Sequence, residues 1–322
     1  MKTMKAFLNP LGGEPCRLKV YLEGWCMQDC KRATDIDEQI KILKLRGMII
    51  DDEQKAKECL LDIGYYRLGF YWFPFKKTYP RKGYRDHKLK SGTRMEYAIK
   101  LYYFDFDIRN LFLRYISRIE INFRTKVIYV ASNHFLNDPF WYTKEENFKD
   151  GFVGSSNYKH ILTSLTKESA IAHDLKKYKR AYSPAWKAIE HMTFGAVICL
   201  YENLKDPVLR NAIAKEFGIN SAKYLSHYIN IVRQLRNYCA HGKVLFDISF
   251  PKAICDSKEL KLGARKTMLS GGYMVLRYML GKISTPRERE LSCSMRKIFS
   301  KISSQEVLDV IENCSGLKQT QV

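Results

Sequence analysis

Apolar residues recur along this chain at intervals of three and four, the period of helices that bury one side. The clearest run follows Asp107, where Ile108, Leu111, Phe112, Tyr115, Ile119, Phe123, Val127 and Val130 fall on one stripe. It predicts a long helix forming one wall of a bundle, with Arg109, Arg114, Arg118, Glu120 and Arg124 on its other face. A second stripe passes through Trp186, Ile189, Val197, Leu200, Tyr201 and Leu204, started by Ser183 as cap and Pro184 at the first helical position. Asp206-Pro207 repeats that start signal, and Gly218 after Phe217 supplies a stop. Tyr224, Leu225, Tyr228, Ile231, Val232 and Leu235 predict a last helix reaching His241, with Gly242 as the residue beyond its end. At least four core helices of this kind make an all-α helical bundle the expected fold class. Before Lys90 the chain is richer in aromatic and turn residues, which leaves room for a short hairpin.

Three regions are expected: an N-terminal aromatic and basic region over 1–90, a helical domain over 91–250, and a basic C-terminal extension over 251–322. The chain's 322 residues suffice for a large core. The best apolar run, HMTFGAVICLY, is far short of a membrane span, and MKTMKAFLNPLGG is too briefly apolar for a secretory signal. Nine cysteines without zinc-type spacing fit reduced thiols. A cytoplasmic protein with no membrane partner is therefore expected. Cys16, Cys26 and Cys30 make a poor zinc set, because no second pair stands nearby. The absence of a Walker loop, a dinucleotide glycine pattern and HExxH leads us to expect no cofactor.

Charge narrows the partner. Lys and Arg number 55 against 34 Asp and Glu, a formal net charge of +21. Lys76, Lys77, Arg81, Lys82, Arg85, Lys88 and Lys90 are opposed only by Asp86, with Tyr79 and Tyr84 interleaved. A second surplus includes Lys261, Arg265, Lys266, Arg277, Arg287, Arg289, Arg296 and Lys297. Such runs are often ordinary solvated faces, but a surplus this large favours a polyanion. Tyrosines can stack unpaired bases, so single-stranded or looped RNA is the expected partner, unless those rings are core. Arg109, Arg114, Arg118, Arg233 and Lys243 join the expected contact set.

The segment RQLRNYCAHGKVLFD, from Arg233 to Asp247, carries the candidate chemistry. Asn230, Gln234, Asn237 and His241 fall on a polar stripe of the last helix, and Gly242 puts His241 at its final turn, beside the negative end of the macrodipole. Arg236 lies about 140° from His241 around an ideal helix. The two meet only through a distorted turn, a long reach or the pairing of two chains. Spacing alone is weak here: an ion-paired Arg, a solvated Asn and a capping His would look the same. Glu120 and Arg124, one turn apart, read equally as an ordinary surface pair.

Four ordered blocks go further: LLDIGYYRLGFYWFPF at Leu60, FDFDIRNLFLRYISRIEINFRT from Phe104, YSPAWKAIEHMTFGAVICLYENL from Tyr182, and IAKEFGINSAKYLSHYINIVRQLRNYCAH from Ile213. They resemble the Abi-like family of bacterial abortive-infection proteins, of the AbiD and AbiF type, a branch of the HEPN superfamily. The resemblance implies a HEPN-like helical fold and metal-independent endoribonuclease chemistry at Arg236, Asn237 and His241, often across a homodimer. It also implies that Glu120 orients Arg236 or Arg124, and that Arg124 reaches phosphate. The chain departs from the family at Gly242, where relatives commonly carry a polar residue or His. Two other readings stay open: a non-catalytic RNA-binding component of a ribonucleoprotein with a structured noncoding RNA, and a dimeric scaffold.

Overall fold

A computed structural model describes residues 33–81, 86–263 and 266–321. Cys16, Cys26, Cys30, Lys82, Tyr84, Arg85 and Arg265 lie outside the described residues. Three short helices come first, α1 (Ile36–Leu45), α2 (Glu53–Ile63) and α3 (Tyr65–Trp72), before the long α4 (Met95–His134). Then follow α5 (Ser156–Thr166), α6 (Ser169–Tyr178), the single turn α7 (Ala185–Ala188), α8 (Phe194–Asn203), α9 (Pro207–Lys215) and α10 (Ala222–Ala240). The chain closes with α11 (Leu269–Ile283), α12 (Thr285–Ser300) and α13 (Gln305–Ser315). No strand occurs among the described residues, and the fold is an all-α bundle.

α4 is its axis, because its apolar stripe continues long enough to touch most other elements. Ile108, Phe112, Tyr115, Ile119, Phe123 and Val127 are buried as expected, while Leu111 and Val130 are only partly so. The helix begins at Met95, well before Asp107, and Met95, Ala98, Leu101 and Phe104 extend the stripe upstream. It packs against α3, α8, α9, α10, α11 and α12. The expected α10 stripe is also buried: Leu225, Tyr228, Val232 and Leu235 are fully enclosed.

One start signal fails and its twin holds. Ser183 is not a helix cap; it is buried, and its hydroxyl donates to Asp174 at 2.6 Å. Pro184 itself precedes α7, whose turn runs into a 3₁₀ turn at 189–191, and Thr193 then caps α8 by accepting from the Ala196 N–H at 3.2 Å. Trp186 is 55% exposed and leaves the stripe. Asp206 does cap α9, accepting from Val208 N–H at 2.7 Å, with Pro207 first in the helix. The hairpin reduces to a single antiparallel bridge between Lys76 and Leu89.

Residues after 250 pack as part of the bundle. α11 lies on α4 and α10, with the Tyr273 and Phe112 rings stacked at 5.8 Å. Gly272 leaves room for the segment after α10, since a Cβ there would stand 2.8 Å from the Phe250 ring. One continuous core runs from Ile40 to Leu317 among the described residues. Part of the C-terminal basic surplus is committed to ion pairs, Arg277 with Glu288 at 2.6 Å and Lys266 with Asp256 at 2.8 Å. Among the described residues no helix is long and apolar enough to cross a membrane.

Candidate active site

The end of α10 is a fully formed backbone cap. His241 is the C-cap, at φ −89° and ψ 9°, and Gly242 follows at φ +60°. Lys243 N–H donates to the Tyr238 carbonyl at 2.9 Å and Gly242 N–H to that of Cys239 at 3.2 Å, the paired bonds of a Schellman motif. The left-handed position explains the departure at Gly242, because an L side chain there costs about 1–2 kcal/mol. A Cβ would also lie 3.4 Å from Arg109 Nη1 and 3.6 Å from Arg67 Nη2.

Those two guanidiniums hold the turn from behind. Arg67 of α3 donates to the Gly242 carbonyl. Arg109 of α4 is buried, its Nε 3.2 Å from the Asp105 carbonyl and 3.4 Å from the Asp105 carboxylate. Asp105, fully enclosed, accepts from Tyr71 hydroxyl at 2.9 Å, Leu245 N–H at 2.9 Å and Phe246 N–H at 2.7 Å. The carboxylate thus fixes the chain immediately downstream of the motif to the axis helix. Neither Asp105 nor Arg67 was expected at the site. Asp105 had a signal, since it stands three and seven residues before Ile108 and Phe112 on the buried stripe.

Burial pushes the Asp105 carboxyl up to about 6, against the pull of Arg109, Tyr71 and the two N–H donors. A carboxyl whose pKa is higher folded than unfolded stabilises the fold fully below its unfolded value, and that contribution is lost as pH rises through the folded value. Asp105→Asn removes this titration. The stability difference between the two proteins is expected to move in the variant's favour by about 2 kcal/mol between roughly pH 4 and pH 6.5. Urea unfolding across that range measures it, and a pH-independent difference would remove Asp105 as the source.

In front, the motif's side chains divide as the helical geometry requires. Asn237 and His241 are exposed, and neither side chain has a hydrogen-bond partner among the described residues. Arg236 turns toward α4, its Nε 3.9 Å from Glu120 Oε2. Glu120 Oε1 lies 3.4 Å from Arg124 Nη2, which also donates to the Met192 carbonyl at 3.1 Å. Glu120 therefore stands between two guanidiniums, with Arg124 mostly enclosed and Arg236 41% exposed. Arg236 and His241 share no partner among the described residues.

The expected contact residues scatter. Arg109 does not offer its guanidinium to a polyanion, because Asp105 at i−4 draws it into the core. Lys76 is also buried, its ammonium 5.9 Å from the Phe73 ring centroid. Lys77, Arg81, Lys88 and Lys243 are exposed, as is Arg114, which pairs with Glu290 at 2.7 Å. Arg118 is half-buried. Arg233 lines a separate polar cleft with Asn230, Glu202 and His160. There Asn230 donates to Glu202 at 2.7 Å, and burial raises the Glu202 carboxyl above the usual range. Among the described residues no group of three or more His, Cys, Asp or Glu is placed to hold a metal ion.

A family model described as Abi-like protein matches residues 58–247. No curated protein and no solved structure matches the chain.

Proposed function

The chain belongs to the Abi-like protein family, a membership that points to abortive-infection defence, and from that premise we propose that it is a cytoplasmic, metal-independent endoribonuclease acting on single-stranded or looped RNA. The observation that supports this most is the end of α10, where Asn237 and His241 are exposed while Glu120 draws Arg236 toward α4 on another face of the same helix.

The chemistry needs no external nucleophile. The RNA 2′-oxygen bonds to the adjacent phosphorus, the bond from phosphorus to the 5′-oxygen breaks, and a 2′,3′-cyclic phosphate and a 5′-hydroxyl result. His241 takes the 2′-hydroxyl proton or supplies one to the departing 5′-oxygen. Arg236 neutralises charge that grows on the phosphorane-like transition state, where a fixed donor contributes most. Asn237 hydrogen-bonds the phosphate, and Arg124 adds positive potential behind Arg236. Because Arg236 and His241 diverge within one chain, the working unit in this reading is a homodimer that brings one copy's imidazole to the other's guanidinium. Lys77, Arg81 and Lys88 supply an exposed basic surface for the strand, with Lys82 and Arg85 assigned to it from sequence.

The charge of +21 favours a second reading, an RNA-binding component of a ribonucleoprotein with a structured noncoding RNA. One assay separates the two. Purified protein incubated with unpaired RNA in EDTA is expected to yield fragments ending in a cyclic phosphate and beginning with a 5′-hydroxyl, identified by mass spectrometry. A strict magnesium or manganese requirement would sink the mechanism. Tight binding without cleavage would favour the ribonucleoprotein.

A further inference from the structure

A cleft of about 640 Å³ lies between α3 and the turn that follows α10. Its wall includes Tyr66 and Phe70, one turn apart on the side of α3 opposite Leu68, Tyr71 and Trp72, which are buried. Tyr66 is 84% and Phe70 46% exposed, and the rings meet edge to face with centroids 5.7 Å apart. Two large rings left to water on one short helix are unusual enough to need an occupant. The rest of the lining is cationic and aromatic. Arg46 Nη1 donates to the Tyr65 hydroxyl at 2.7 Å, Arg67 donates to the Gly242 carbonyl, and Lys243 Nζ sits 5.3 Å from the Tyr238 ring centroid. Among the described residues Asp247 is the one carboxylate in the lining.

Exposed ring faces beside guanidinium and ammonium groups match a ligand carrying both a flat apolar face and negative charge. An apolar peptide would leave the cations unpaired, and an acidic peptide would leave the rings uncovered. An unpaired nucleotide satisfies both, its base on a ring and its phosphate on a cation. The volume falls within the roughly 300–1,000 Å³ of small-ligand sites. Position adds a second argument. Tyr238 directly follows Asn237, and Lys243 stands two residues beyond His241, so the cleft opens onto the turn that carries the imidazole.

We propose that this cleft is a subsite for one unpaired nucleotide of an RNA strand, with the base against Tyr66 and Phe70 and the phosphate toward Lys243 and Arg67. The subsite deepens the RNA reading of the neighbouring motif and rests on it for the identity of the strand. Arg67 serves both, since the guanidinium at the cleft also holds the Gly242 carbonyl. A nucleotide bound there meets the chain on either side of the turn, at Tyr238 and Lys243, without using the motif's own side chains.

The test measures binding directly, apart from cleavage. Full-length His241→Ala protein, with and without Tyr66→Ala and Phe70→Ala, is titrated against a fluorescent unpaired RNA of roughly 12 nucleotides in EDTA, and affinity is expected to fall ~10-fold in the double ring variant. Tyr66→Trp should hold the parent affinity, and duplex RNA of equal length should bind parent and ring variant within about twofold, because paired bases present no free face. Unchanged single-strand affinity in the ring variant, an equal loss on duplex, or a parent that binds no RNA would each overturn the subsite. A shift in sedimentation coefficient with no shift in RNA affinity would make the rings a contact between protein copies instead. If the wild-type protein binds but does not cleave and the ring variant loses affinity, the catalytic reading falls and the subsite stands. Cleavage with unchanged ring-variant affinity gives the reverse.

Discussion

Replacing His241 with alanine is expected to lower RNA cleavage by ~10²–10⁴-fold, the usual contribution of a positioned acid or base, while RNA affinity stays within about twofold. The separation follows from how the residue is held. His241 contributes its backbone to the cap, and Gly242 and Lys243 complete that cap with N–H groups alone. Its imidazole is exposed and has no partner among the described residues, so its loss should change stability by no more than ~0.5 kcal/mol. A fall in rate therefore reports chemistry rather than collapse of the turn. Single-turnover cleavage, RNA anisotropy and a thermal melt on the same preparation provide the three readouts. Cleavage by the alanine variant at the wild-type rate would remove His241 from the mechanism, and with it the assignment of Arg236 and Asn237.

Asp105→Ala should instead act on the fold, with a loss of about 3–5 kcal/mol, the range for leaving a buried partner charge uncompensated. Four groups depend on this carboxylate: the Arg109 guanidinium, the Tyr71 hydroxyl, and the N–H groups of Leu245 and Phe246. Alanine cannot accept from any of them, at a position that is fully enclosed. Among the described residues Arg109 has only the Asp105 carbonyl to fall back on. Urea unfolding at about pH 7 measures the effect. A loss below about 1 kcal/mol would show that Arg109 and the 245–246 backbone find other partners, and the link between α4 and the motif turn would have to be redrawn.

Helical periodicity in the sequence was enough to place α10 and the downstream two thirds of α4, because each keeps a clean apolar stripe over several turns, while α9 was bounded by its start and stop signals. The upstream third of α4 was hidden by its outward aromatics: Tyr103 and Phe106 are 47% and 44% exposed and blur the period. Trp186 misled for the same reason, since an apolar ring counts toward a stripe whether or not the fold encloses it. At the site, Gly242 marked the helix end correctly, and its positive φ is why. Arg109 was assigned to the polar face of α4, and burial of the Asp105 partner overrode that assignment. Arg67 reaches the Gly242 carbonyl across 175 residues of chain, a contact that no local pattern encodes.

The 40-residue axis helix, roughly 60 Å long at 1.5 Å per residue, grips the motif helix at two separate heights. Glu120 meets Arg236 at one, and Asp105 with Arg109 secures the turn beyond His241 at the other, some 22 Å lower on the same rod. Sliding or melting either end would cost buried contacts of the global fold, so this region should exchange its amide hydrogens only in the slowest, whole-molecule openings. In the proposed nuclease, the turn that carries His241 is already clamped in place before any strand arrives. Restraint of that proposed activity would then act from outside the turn, by something that covers the face or withholds a second copy.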